Sequence, residues 1–242
     1  SARAAQTRCV ADRVACQLAQ SVRNSTMPFV STNPATGRRI ASLRSDTRSE
    51  MLATIAHAHT AFISWREQSL ATRAQVLRRI ARALLEQRDE LASLLSTEMG
   101  KPFTQSRAEI EKSASVCDYY ARHGARMLAP ISPSDGPPGA RILFEPLGVV
   151  LGIMPWNFPF WQTFRAAAPA LMAGNTFLLK PAPNTAGCGL AMEHLFSALP
   201  VLHLLQALLI ETAAVPSVIA DDRIRAVTLM GSTRAGRSVA AL

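Results

Sequence analysis

Apolar residues recur at steps of three and four through the first half of the chain. Thr47 followed by Glu50 has capping-box spacing, and behind it Met51, Leu52, Ile55, His59, Phe62 and Ile63 form one stripe, which predicts an amphipathic helix. Val76, Leu77, Ile80, Leu84 and Leu85 carry the same period, which runs on through Leu91, Leu94 and Leu95 as a single pattern. Gly100, Lys101 and Pro102 then stop it, as glycine and proline do beyond a helix C-terminus. A further helix is expected at about 104–121, with Ile110, Ala114, Cys117 and Tyr120 on one side. Ahead of these, NPATG at 33–37 carries turn chemistry between extended flanks at Phe29–Thr32 and Arg39–Leu43, which predicts a hairpin.

The pattern breaks at SPSDGPPG, 132–139. Beyond it, short apolar runs at 149–154, 176–179, 204–210 and 226–230 alternate with helical patterns at about 161–172 and 185–198 and a short one near 215–220. Strand–helix alternation of this kind indicates βαβ units and a parallel sheet, so the fold class is α/β. The expected organisation is a leader or non-native extension at 1–26, a helical part at 27–131, an arm or connection at 132–146 and a βαβ part at 147–242. Parallel sheets bind ligands beyond the carboxyl ends of their strands. PWN after the first strand, KPAPN after the second and GSTRAG after the fourth should therefore converge on one crevice.

Composition narrows the function classes. With 48% hydrophobic and 18% charged residues the chain can bury a core, and disorder is excluded as the main reading. A net charge of +9 would suit nucleic acid or an anionic membrane if it were gathered on one face. It is scattered: Arg73, Arg78, Arg79, Arg82 and Arg88 interleave with Glu86, Asp89 and Glu90 without aromatic residues, which reads as a solvated face, and no nucleic-acid partner is expected. Arg165 interrupts the longest apolar stretch, 147–179, so no membrane partner is expected either. Cys9, Cys16, Cys117 and Cys188 form no C-x-x-C pair, His57 and His59 lack ligand partners, and neither a metal site nor a disulfide framework is implied. In 1–26, Arg3, Arg8, Arg13 and Arg23 stand against Asp12 alone, which suits a non-native leader or a mitochondrial presequence. The compartment is read as cytoplasmic, or mitochondrial if that presequence is real.

Four places carry candidate chemistry. Gly231 and Ser232 end a strand and open a helix, where backbone N–H groups and the helix dipole favour an anion such as a diphosphate; a plain strand-to-helix turn is the alternative. GSTRAGRS approximates a P-loop, but it follows the fourth strand and has Arg237 where that loop needs lysine. Lys180 closes a strand before two prolines, where its ammonium can meet ribose hydroxyls or phosphate, or simply snorkel. Arg165, in an otherwise apolar helix, is expected to be buried and to need a carboxylate, from elsewhere in the fold or from a substrate. Asn157, between Trp156 and Phe158, is expected to sit where water is scarce. It would serve either as a fixed donor to an oxygen that becomes negative or as a cap on the next helix.

Taken together, NPATG, EMGKP, FEPLGVVLGIMPWNFPFWQTFRAAAPALMAGNTFLLKPAPNT and IRAVTLMGSTRAG resemble the aldehyde dehydrogenase superfamily, in its order, from about Phe29 to Leu242. FEPLGVVLGIMPWNFPFWQ, LLKPAPNTAGC and EIEKSASVCDYYARHG are most similar to its NAD(P)-dependent succinate-semialdehyde dehydrogenases. The resemblance implies a Rossmann-like cofactor domain, NAD or NADP as cofactor, a small aldehyde as substrate, and homo-oligomers for full-length members. By position it implies that Asn157 would face the oxyanion and that Pro155 and Trp156 would border the cofactor. Lys180, Pro181, Ala182 and Pro183 would line the adenosine ribose, Gly231 and Ser232 would meet the diphosphate, and Arg165 would hold the substrate's distal carboxylate. The family's reaction is attack by a cysteine thiolate, hydride transfer to NAD(P)⁺ and hydrolysis of the thioester with a glutamate as base.

The chain also departs from the family. Neither the E-L-G-G segment of the base nor the G-Q-x-C segment of the nucleophile is present, so the chain resembles an N-terminal half truncated before the catalytic domain. It is expected to be inactive alone, or else to be a non-catalytic NAD(P)-binding or subunit-pairing fragment. At LPVLHLLQ, 199–206, the family's glycine is missing and one residue is added, so a turn that would need φ > 0 lacks the residue that permits it. Met230 stands where threonine or phenylalanine is usual. Pro183 replaces an acidic residue that would repel a 2′-phosphate, which leaves NAD and NADP both open.

Overall fold

A computed structural model describes residues 29–197, 199 and 201–242; the expectations for 1–26, with Cys9 and Cys16, lie outside them. β1 (Phe29–Thr32) and β2 (Arg39–Leu43) form the antiparallel hairpin, and Asn33 organises its turn by accepting from Ala35 N (2.9 Å) and Thr36 N (3.3 Å). The capping box opens α1 (Arg48–Trp65): Glu50 N donates to Thr47 Oγ1 (3.3 Å), and Thr47 N donates to Glu50 Oε2 (2.9 Å). The pattern read as one helix from 76 to 95 is two, α2 (Leu70–Glu86) and α3 (Arg88–Met99). Gln87, at φ −100° and ψ 13°, leaves helical geometry between them, and Asp89 and Glu90 then place negative charge at the new N-terminus, where the helix dipole favours it. Gly100 closes α3 with φ 80°, a conformation that costs glycine little. α4 (Phe103–Met127) runs past its expected end, with Ala121 and Gly124 still buried.

Four parallel strands follow: β3 (Val149–Ile153), β4 (Thr176–Lys180), β5 (Leu205–Ala207) and β6 (Ile224–Leu229), in the spatial order β5-β4-β3-β6. Between them lie α5 (Pro159–Met172), α6 (Ala186–Ser197) and the short α7 (Val215–Ile219), and α8 (Thr233–Ala240) follows β6. This is the α/β class expected. β5 is shorter than the 204–210 run, although Leu208 N still reaches Leu179 O (2.8 Å).

The period of two along the strands divides the core between the faces of the sheet. Val150, Phe177, Leu179 and Leu205 pack with residues of α2 to α6, while Val149, Leu151 and Leu178 pack with Met51, Ile55 and Ala58 of α1 and Val215 and Val218 of α7. The first cluster runs from Trp65 through the helices into the sheet, and Trp65 Nε1 donates to Leu171 O (3.0 Å) inside it. Arg73 corrects the reading of a solvated arginine face: it is buried, and its guanidinium donates to Arg66 O (2.8 Å) and Met172 O (3.4 Å). Among the described residues no helix is long and apolar enough to cross a membrane.

One backbone conformation and two desolvated carboxyls lower the stability of the fold. His203, in the segment that lacks the family's glycine, takes φ 63° and stacks on His57 with ring centroids 4.8 Å apart. A non-glycine residue there stores about 1–3 kcal/mol of backbone strain. His203→Gly should therefore stabilise the chain by about 1 kcal/mol in chemical denaturation, after the entropy that glycine adds to the unfolded state. Glu193 and Asp46 are pushed up to about 7 and about 6, chiefly by burial, with the Asp46 charge adding to the rise at Glu193 and the Glu50 charge to that at Asp46. Folded carboxyls with raised pKa hold protons that the unfolded chain has released. Stability is therefore greatest below the unfolded-state values and falls as pH rises through about 6–7. Urea midpoints measured from pH 5 to 8 should show this fall, and Glu193→Gln should remove about 2 kcal/mol of it.

Candidate functional site

Backbone hydrogen bonds beyond the strand ends bring the three expected loops together. Met154 N donates to Lys180 O (3.1 Å) and Met230 N donates to Ile153 O (3.0 Å), so the carboxyl ends of β4, β3 and β6 lie side by side. The chain leaves β3 towards β4 and β5 and returns on its other side as β6, which makes the β3–β6 edge the switch point where such sheets form a crevice.

Lys180 is buried, its Nζ donates to Pro181 O (3.3 Å), and desolvation pulls its ammonium below the usual lysine range. Pro181 is buried beside it, Ala182 is half-buried, and Pro183 is exposed at the start of a 3₁₀ turn. Gly231 and Ser232 are exposed, and Ser232 Oγ caps α8 by accepting from Ala235 N (3.2 Å). Pro155 is half-buried, and Trp156 is 51% exposed.

Two expectations are corrected. Asn157 does not sit away from water: it is exposed, as are Trp156 and Phe158, because the loop projects beyond the strand end. It does not cap α5 either, since Phe158 holds the cap position without a side-chain bond. Arg165 is exposed rather than buried, because its position on α5 faces out beside the end of β6. Its Nη2 donates to Met230 Sδ (2.8 Å), and no carboxylate among the described residues pairs with it.

The sequence reading missed three charged residues behind these loops. Glu109 accepts from Phe160 N (3.0 Å) and Trp161 N (3.1 Å) at the start of α5, and Glu98 accepts from Gly187 N (3.1 Å) and Cys188 N (2.8 Å) at the start of α6. Each fills the positive end of a helix dipole with an internal carboxylate. Burial raises the Glu98 carboxyl, with those N–H bonds opposing it, and a Cβ on Gly187 would stand 2.6 Å from Glu98 Oε1. Lys101 is ion-paired with Glu109, and its Nζ also donates to Asn157 O (3.0 Å). The signal was an acidic residue on an apolar helix face: Glu98 follows Leu91 and Leu95, and Glu109 adjoins Ile110. Of the helices that begin after β3, β4 and β6, α8 alone meets no internal carboxylate among the described residues.

Residues 21–242 match the model of the aldehyde dehydrogenase family. The chain is 41% identical over 216 residues to a succinate semialdehyde dehydrogenase [NAD(P)+] of Escherichia coli (strain K12), covering 88% of this chain and 46% of that protein. It is 43% identical over 215 residues to a probable succinate-semialdehyde dehydrogenase [NADP(+)] of Synechocystis, covering 88% and 47%. Among solved structures, a succinic semialdehyde dehydrogenase from Streptococcus pyogenes in complex with NADP+ superposes with a TM-score of 0.82 at 30% identity, covering 88% of this chain and 47% of that one. The chain thus spans about half the length of the curated relatives it matches.

The geometry argues against the capping reading of Asn157. Its carboxamide bonds to no described group, so Asn157→Ala should change the urea-denaturation free energy by no more than about 0.5 kcal/mol. A loss of about 1 kcal/mol, the usual cost of removing a cap, would restore the capping role.

Proposed function

The chain belongs to the aldehyde dehydrogenase family, and on that premise we propose that it forms the cofactor-binding half of an NAD(P)-dependent enzyme that oxidises succinate semialdehyde to succinate. The observation that carries this reading is the exposed N-terminus of α8 at the switch point of the sheet, with buried Lys180 at the end of the next strand but one. The N–H groups behind Gly231 and Ser232 receive the cofactor's diphosphate, and Ser232 Oγ holds the first turn of α8 in shape. Lys180, Pro181, Ala182 and Pro183 line the adenosine ribose. A desolvated ammonium with one carbonyl partner retains donors for hydroxyl groups. Pro183 brings no negative charge against a 2′-phosphate, so NAD and NADP both fit, and Pro155 and Trp156 border the reacting end.

When bound, the cofactor supplies a hydride acceptor. Asn157 donates its amide N–H to the aldehyde oxygen as that oxygen gains negative charge, and its exposed carboxamide is free to do so. Arg165, exposed and without a carboxylate among the described residues, pairs with the substrate's distal carboxylate through its planar fork. The described residues supply no nucleophile. Cys117 and Cys188 are buried, and burial pushes both thiols above the ordinary range, away from the reactive thiolate. In this reading the 242 residues bind cofactor and do not oxidise aldehyde by themselves.

Calorimetric titration tests the reading. NAD⁺ or NADP⁺ should bind the chain with a Kd of about 1 mM or tighter; Lys180→Met should weaken binding about tenfold, and Arg165→Ala should leave it unchanged. Absence of binding by either cofactor would overturn the cofactor site, and NAD(P)H formation from succinate semialdehyde by the purified chain would overturn its inactivity alone.

A further inference from the structure

We propose that Lys101 and Glu109 are positioning residues that hold the 156–158 segment in one place, so that the Asn157 carboxamide is presented without reorganisation. The inference deepens the reading of Asn157 as the oxyanion donor and rests on it. Asn157 itself has little to hold it: it is exposed, between exposed Trp156 and Phe158, and no N–H of 156–158 donates to another described group. A donor that must meet charge as it develops gains most when its position is fixed beforehand.

What restrains the segment comes from behind it. Lys101 Nζ donates to the Asn157 carbonyl (3.0 Å) and lies 3.6 Å from the centroid of the Phe158 ring, a cation–π contact. The two residues that flank Pro155–Trp156 on the helix side, Phe158 and Asn157, are thus both held by one ammonium. Glu109 completes the restraint, since one oxygen pairs with Lys101 while the other accepts from Phe160 N and Trp161 N and fixes the first turn of α5. The side chains of Lys101 and Glu109 are only 4% and 1% exposed. A buried ion pair costs desolvation, and well-packed neutral residues often replace one without loss of stability. A pair kept for packing alone could therefore be neutralised harmlessly, whereas a pair kept for position could not, because only the lysine reaches the Asn157 carbonyl.

The double variant Lys101→Met/Glu109→Gln separates these roles. The glutamine carbonyl can still accept from Phe160 and Trp161, and methionine fills the lysine's volume, so the variant should melt within about 4 °C of the parent. Phe158 is also tied to α5, since Gln162 N donates to its carbonyl (2.9 Å), so ¹⁵N relaxation of the 156 and 157 amides reads the position of the segment. Order parameters near about 0.85 are expected in the parent and below about 0.6 in the variant, with α5 itself unchanged. Equal order in a stable variant would show that the pair serves stability only, and values below about 0.6 in the parent would show that the segment is not held at all. If the double variant does not fold, Phe158→Leu removes the cation–π contact at an exposed position and leaves the Lys101–Glu109 pair intact; lower order at 156 and 157 is expected there too, and unchanged order would overturn the restraint. Parallel NAD(P)⁺ titration keeps the two readings apart: a segment ordered by Lys101 in a chain that binds no cofactor would sink the proposed function and leave the restraint standing.

Discussion

The contact between Lys101 and Glu109 is the constraint from which the arrangement at the sheet's edge follows. The pair lies at the seam where the helical layer meets the loop after β3, and each member has its remaining hydrogen-bonding capacity used by that loop or by the start of α5. Two charges so deeply buried persist only when their partners are in place. The ends of α3 and α4, the loop that carries Asn157 and the first turn of α5 must therefore come together as a unit. Arg165 depends on the same anchor, because its position beside Met230 follows from where α5 begins.

A second consequence is electrostatic. Helix N-termini after parallel strands attract anions, and those of α5, α6 and α8 follow β3, β4 and β6. Glu109 and Glu98 occupy two of them from within the protein, and the α8 N-terminus is left with Ser232 alone. After β3, the N–H groups at the start of α5 that could face a phosphate already face a carboxylate. In the proposed reading a diphosphate therefore binds across the switch point, at the turn after β6, one strand removed from Lys180 at the end of β4.

The elements were legible where periodicity and local chemistry agreed. The hairpin turn, the capping box and the βαβ alternation each carried a local signal, and the loops that follow β3, β4 and β6 converge as parallel topology requires. The break at Gln87 was not legible, because Leu84, Leu85 and Leu91 keep apolar positions on both sides of it. Arg165 and Asn157 were read as buried from their apolar neighbours in sequence, but the strand-end loop and the outer face of α5 turn both towards solvent. Glu98, Lys101 and Glu109 lie within the family-like motifs and still escaped, since their partners are backbone groups 51 to 90 residues away, or in the case of Lys101 also an acid eight residues on, beyond a helix break. The positive φ of His203 shows the opposite case: the missing glycine predicted a turn under strain, and the strain is there.

A crystal structure of the chain grown with NAD⁺ decides whether the cofactor's diphosphate binds at the N-terminus of α8 rather than at those of α5 or α6. Diphosphate density is expected within hydrogen-bond distance of the backbone N–H groups that follow Ser232, with Lys180 at the adenosine ribose and Glu109 still on Phe160 and Trp161. Diphosphate at the start of α5 with Glu109 displaced would overturn that placement.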